Sequence, residues 1–405
     1  MSKESLSSDS LVAGILICIL NVRFSSAYFS SVCIIFALFL LWVMYKGRNS
    51  GKLWKLESGF WCYDIKLLTA GIAGCYGMLL LSGICLQDSG SMKTAVDWAG
   101  FTLPVYMFFF LAHRRNIDKG MMTGLSFGIL ANAVYGVLQL EGLAGTLKDV
   151  NRMQGFFKHP NSLGAALVWS IPFMAWYAWK AKNKWTRMFA SGVTLIALIS
   201  LYQTGSRGAM GGLALGVVGC VLIYCLMHRK DFRGRTLIAG VVLCVMASVI
   251  TGLGLQYSSI HERGLGDRTY MWQASMHMWR DHQVLGVGID KWSDVYYSSQ
   301  YHPAEAVEQH MYFPHNMPLY FLSGAGILGG LGYVCISLFM FVAIIRQMKK
   351  NLEITWAEPM MITFLAFMAV GMVDATLTNK TVALPYFALL GYAMGSLSRK
   401  GQDNR

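Results

Sequence analysis

Charged residues are scarce in this chain. Asp, Glu, Lys and Arg make up 14% of it, while 55% is hydrophobic. That balance excludes an ordinary soluble domain, whose apolar runs are shorter and amphipathic. No basic module interleaved with aromatics is visible, so the net charge of +13 calls for no nucleic acid partner. None of the nine cysteines falls between residues 257 and 314, the most polar part of the chain. A cysteine-based metal site is excluded there, and a disulfide framework is argued against. The same stretch has no Asp-x-Asp pair and no His-x-x-x-His array, only scattered acids such as Glu262, Asp267, Asp281 and Asp294. No small-residue cleavage site precedes the second apolar run, which argues against a signal peptide.

Long apolar runs are plentiful. Each of about 20 residues can cross a hydrocarbon core of about 30 Å. They fall at roughly 9–22, 27–45, 64–85, 96–112, 120–141, 163–179, 188–204, 209–227, 236–256, 316–344, 357–375 and 383–397. The expected fold is therefore an all-α integral membrane protein with about twelve transmembrane helices. Residues 1–256 would hold nine spans and residues 315–405 three. Residues 257–314 would form one large extracytoplasmic loop with short helices.

Lys and Arg set the orientation. One alternate set of loops carries Lys46/Arg48/Lys52/Lys55, Arg114/Arg115/Lys119, Lys180/Lys182/Lys184/Arg187 and Arg346/Lys349/Lys350. Both termini are then expected in the cytoplasm. The 257–314 loop and smaller openings at 142–162, 204–208 and 376–382 share the opposite face.

That outer face holds cations which run against the topology bias: Arg152, Lys158, Arg207, Arg263, Arg268, Arg280 and Lys291. Solvated loop charge is the ordinary alternative. Arg207 stands out, because Thr204-Gly205-Ser206-Arg207-Gly208 is a tight break between two apolar runs. Burying Arg near a bilayer costs energy unless it snorkels or finds a partner. Arg268 opens an expected helix running to about Asp281, with Asp267 as N-cap. Arg268, Trp272, Ser275, Met276 and Trp279 would share one face. That face either rests its aromatics on the membrane or holds a cation beside a sugar or isoprenoid. Leu285-Gly286-Val287-Gly288 is turn-rich and has no dinucleotide-loop context.

His315 lies between Pro314 and Asn316 at the outer mouth of the tenth span. It is either a polar cap or a group for proton transfer near neutral pH. A second pairing, His159-Pro160-Asn161, precedes the sixth span. Pro160 fits a helix start, Asn161 could cap, and His159 reads as structural.

These residues resemble the O-antigen ligase family of bacterial membrane glycosyltransferases, which includes O-antigen polymerases. The markers are Arg152…Gly155-Phe156…His159-Pro160-Asn161, Ser206-Arg207-Gly208, Arg268…Trp272…Gly286-Val287-Gly288 and His315-Asn316…Gly324. The resemblance implies a GT-C-like architecture in the bacterial inner membrane, with the active site facing the periplasm. It implies a metal-independent, inverting transfer of a glycan from undecaprenyl diphosphate to a lipid A-core sugar hydroxyl, with no cofactor. Arg207 and Arg268 would hold the diphosphate, and His315 would be the catalytic base or a charged contact. Arg152, His159, Asn161, Arg263, Trp272 and Asn316 are possible substrate-binding residues.

Two other readings stay open. A polymerase would use a second lipid-linked glycan as acceptor. A lipid-linked oligosaccharide transporter would carry mid-membrane ionisable groups and matched halves. Here Asp64, Asp97, Glu358 and Asp374 lie near expected span ends, and no internal repeat is visible.

Overall fold

The computed structural model describes residues 7–22, 62–145, 147, 151–227, 266–303, 306, 311–350 and 355–403. Among them there are thirteen helices and no strand. They are α1 (Ser8–Asn21), α2 (Tyr63–Cys85), α3 (Ser89–Gly100), α4 (Pro104–Arg114), α5 (Asp118–Leu140), α6 (Pro160–Lys180), α7 (Lys184–Gln203), α8 (Arg207–Met227), α9 (Gly266–Asp281), α10 (Trp292–Tyr296), α11 (Met317–Lys350), α12 (Ala357–Gly371) and α13 (Lys380–Asp403). Among the described residues, seven segments are long and apolar enough to cross a membrane: α2, α3 with α4, α5, α7, α8, α11 and α13. Two more, α1 and α12, are apolar but shorter. The expected spans at 27–45 and 236–256 lie outside the described residues.

Three expectations about spans change. The 96–112 run is two helices, because the chain turns at Phe101–Leu103 before Pro104 starts α4. The 316–344 run continues as α11 to Lys350, although its backbone leaves helical geometry at Ala325 and Gly326. The 357–375 run stops at Gly371. There the Met372 amide donates to Ala369 and the Asp374 amide to Val370, closing the helix in a turn. The Asp374 side chain accepts the Ala375 amide at 2.7 Å, a local bond that competes with helix continuation.

Two sets of ties hold the bundle. On the face away from His315, Asp64 at the start of α2 takes Arg346 Nε at 2.9 Å, Gln347 Nε2 at 2.6 Å and Lys350 Nζ at 2.6 Å from the end of α11. Arg399 of α13 donates to the Ala112 carbonyl of α4. A carboxylate buried there needs several donors, since an unpaired charge would be expelled or neutralised.

At the other end, the Leu285-Gly286-Val287-Gly288 turn docks into the break in α11. The break frees the carbonyls of Ser323 and Gly324, which accept the Val287 and Gly288 amides at 3.0 and 2.9 Å. The Ile327 amide donates to Gln283 at 2.8 Å. Ser82 of α2 donates to the Leu285 carbonyl at 2.7 Å, and Tyr320 to Ile289 at 3.1 Å. Buried backbone groups away from water must be paired, and here loop and broken helix satisfy each other.

Gly286 makes that docking possible. Its φ is +69°, and a Cβ would lie 2.5 Å from the Ala325 nitrogen. Gly286→Ala is expected to cost roughly 2–4 kcal/mol of local stability, from left-handed strain plus weakened hydrogen bonds. Limited proteolysis of the full chain in detergent checks this. Cleavage between α9 and α11 should quicken, and an unchanged digestion pattern would remove the docking role.

Candidate active site

The first group of the site is His315, held by its own backbone. Its φ is +50°, in the left-handed region, where few non-glycine residues sit. Such strain costs on the order of 1–3 kcal/mol and persists only when the surroundings enforce it. Pro314 and Asn316 do so here. Trp272 of α9 donates its indole N–H to the Pro314 carbonyl at 2.9 Å. Asn316 accepts the Leu319 amide at 3.0 Å, so it caps α11, and it donates to the Met372 carbonyl at 3.1 Å. His315 is therefore not the cap. The Phe313 ring lies against its imidazole at 4.5 Å between centroids.

The freed imidazole meets Asp374. Nδ1 of His315 and Oδ1 of Asp374 are 3.3 Å apart, with side chains 22% and 21% exposed. Burial pushes the Asp374 carboxyl up. The His315 hydrogen bond and charge, the Ala375 amide and the Arg268 guanidinium outweigh that and hold it below the usual carboxylate range. Asp374 is thus an anion near neutral pH. It can accept a proton-bearing Nδ1, which leaves Nε2 with the lone pair a base needs.

Arg268 acts on the same carboxylate. It sits in the first turn of α9 and interacts electrostatically with Asp374. Trp272 follows one helical turn later, so its bond to Pro314 places the start of α9 above the His315 turn. The buried face of α9 is Met271, Ala274, Ser275 and Met278. Arg268, Trp272, Met276 and Trp279, expected to share a face with Ser275, lie half-buried along its flank. Ser275 accepts the Trp292 indole N–H at 3.1 Å, so α9 rests on protein through this face.

Arg207 is the first residue of α8. A Cβ on the next residue, Gly208, would lie 2.7 Å from Val373 Cγ2. The start of α8 therefore packs beside the Val373-Asp374 turn. Arg152 builds this region without facing outward alone. Its Nε donates to the Thr204 carbonyl at 2.8 Å and a terminal nitrogen to Asn161 Oδ1 at 2.7 Å. Asn161 is thus the acceptor for Arg152, and Pro160 opens α6 as expected. Asn379 donates to Ser162 at 3.3 Å, tying α13 to α6.

Four long helices, α6, α8, α11 and α13, begin around the 372–379 turn. Each N-terminus carries about half a positive charge, which favours an anion.

Of the other expected residues, His159 is exposed at the start of α6, and Arg263 lies outside the described residues. Lys158 and Arg280 are exposed, while Lys291 pairs with Asp88 at 3.6 Å. Asp374 was read from the sequence only as a group near a span end, and its pairing with His315 was not foreseen. It stands 59 residues after His315, at the end of an apolar run. The polar opening at 376–382 was the available signal. Among the described residues, no group of three His, Cys, Asp or Glu side chains gathers as a cation site.

A family model described as O-antigen ligase matches residues 192–334. The match spans Arg207, Arg268, His315 and the break in α11, and it ends before Asp374. No curated protein matches the chain.

Proposed function

We propose, on the premise that this chain carries an O-antigen ligase family domain across residues 192–334, that it is an inverting membrane glycosyltransferase. The donor is a glycan on undecaprenyl diphosphate and the acceptor a sugar hydroxyl of lipid A-core. The site faces the periplasm of a bacterial inner membrane, in a bundle of about twelve spans with both termini cytoplasmic. The observation that carries this reading is the His315–Asp374 pair, with the start of α9 and its Arg268 tied over the same turn by the Trp272–Pro314 bond.

The chemistry follows from the charges. The glycosidic C–O bond to the diphosphate breaks, and its electron pair goes to the leaving oxygen. Charge grows on the diphosphate as that happens. Arg268 and Arg207 can hold it through charge-assisted, bidentate bonds, and a fixed clamp favours the transition state over the ground state. The helix N-termini around the turn add to the same field. On the far side of the sugar, the acceptor hydroxyl gives its proton to His315 Nε2 and attacks the anomeric carbon. A single displacement of this kind inverts the centre. Asp374 stabilises the imidazolium that forms, as a carboxylate behind a histidine base does.

Arg152, Asn161 and Asn316 serve by shaping the cradle, since their polar groups are engaged with protein. Guanidinium clamping takes the part that a divalent cation plays in many sugar transferases. Transfer by purified protein is therefore expected to survive excess chelator, and loss that added Mg²⁺ restores would overturn this part.

The acceptor is tested in a deletion strain by running its surface glycan on a gel. Loss of a ligase leaves bare lipid A-core while polymer accumulates on the isoprenoid. Core carrying one repeat would instead assign an O-antigen polymerase. An unchanged glycan would remove both, and a transport role would then come forward.

A further inference from the structure

A second site lies at the far end of α6 from His315. The helix runs 21 residues from Pro160 to Lys180, about 30 Å at 1.5 Å per residue. There α6 and α7 part to leave an open groove of about 560 Å³. Ala175, Ala178 and Trp179 line it from α6, and Arg187, Ser191 and Leu195 from α7. The alanines leave the space. Ser191 and Leu195 sit one turn apart on an exposed strip of α7.

The groove is polar and basic at one end only. Lys180 Nζ stands 5.1 Å from the Trp176 ring and 5.0 Å from the Trp179 ring, held over both indoles. Arg187 donates to the Ala181 carbonyl at 2.8 Å, which fixes its guanidinium at the same end. Lys182 and Lys184 are exposed in the connecting turn. No acidic residue occurs between Asp149 and Asp231 in the sequence. Asp118 of neighbouring α5 accepts the Tyr392 hydroxyl at 2.8 Å.

A cationic head joined to an apolar trough has the shape and polarity of one lipid molecule. We propose that this groove binds an anionic phospholipid of the leaflet opposite the His315 site. The phosphate would sit at Lys180 and Arg187, and an acyl chain would run along Ala175, Ala178 and Leu195. Indoles at the head end suit the interfacial depth. The basic cluster supplies the selectivity, at about fivefold for each cation near an anionic headgroup.

The test uses the full chain in phosphatidylcholine vesicles doped with lipid brominated on its acyl chains. Bromine quenches tryptophan on contact, and the difference between the wild type and Trp179→Phe isolates Trp179. Brominated phosphatidylglycerol should half-quench Trp179 at a mole fraction at least about fivefold below that of brominated phosphatidylcholine. The exposed double variant Lys180→Gln/Arg187→Gln should bring the two curves together. Native mass spectrometry of the wild type and this double variant, with phosphatidylglycerol added, gives a readout that leaves Trp179 in place. Retained lipid should fall in the variant. Equal quenching by both headgroups in the wild type would overturn the proposal, and so would lipid retention that the double variant leaves unchanged. Neither result bears on glycan transfer.

Discussion

His315→Ala is expected to lower glycan transfer by roughly 10²–10⁴-fold, the usual worth of a positioned general base. Asp374→Asn should cost roughly 10–100-fold, the usual effect of losing the partner that orients a histidine. It keeps the volume and the contact with His315 but cannot favour an imidazolium. The two changes should not add. Once His315 is gone, Asp374 has no imidazole to orient, so the double variant should resemble His315→Ala. Purified protein, lipid-linked donor and acceptor give the rates, and an immunoblot of membranes shows that protein is present. Full transfer by Asp374→Asn would dissolve the pair as a unit. Strictly additive losses would mean that the two residues act apart.

The pH dependence of the pair has a definite sign. The Asp374 carboxyl is held below its ordinary range. A depressed carboxyl stabilises the folded state above its unfolded pKa, about 3.9 for Asp, and that contribution is lost as pH falls through the lowered value. Unfolding midpoints of wild type and Asp374→Asn should therefore converge as pH falls through the lowered value of the carboxyl.

Arg268→Ala is expected to cost roughly 10²–10³-fold, the range for removing one donor from a site that stabilises developing charge. Arg268→Lys should recover only part of this, because an ammonium keeps the charge and loses the planar fork. The loss should appear mostly in kcat, since the contact strengthens as the leaving group gains charge. Arg207→Ala should behave alike if its guanidinium joins the clamp. A wild-type rate in Arg268→Ala would end the clamp reading for that residue. A change confined to KM would reduce Arg268 to uniform donor binding.

The all-helical membrane character was legible because hydropathy and loop charge act locally. A run of about 20 apolar residues commits the backbone to a helix wherever it packs, since lipid offers no other partner for its amides. The breaks around Arg207, Arg268 and His315 were legible for a similar reason. They interrupt the lipid pattern, and the interruption is visible along one dimension. Helix ends were less so. The 357–375 run looked continuous, because averaging hydropathy across Val373 and Asp374 hides a turn made by three backbone hydrogen bonds.

Which side chains meet was decided by the tertiary structure alone. Nothing in the order of residues joins Asp374 to His315, and Trp272 to Pro314 needs α9 laid across the end of α11. The Gly286 turn looked like a loop feature. Only the docked break at Ala325 and Gly326 shows that it completes another helix's hydrogen bonds. Burial of paired polar groups sets these contacts, and such pairing depends on distance in space, which a linear pattern does not carry.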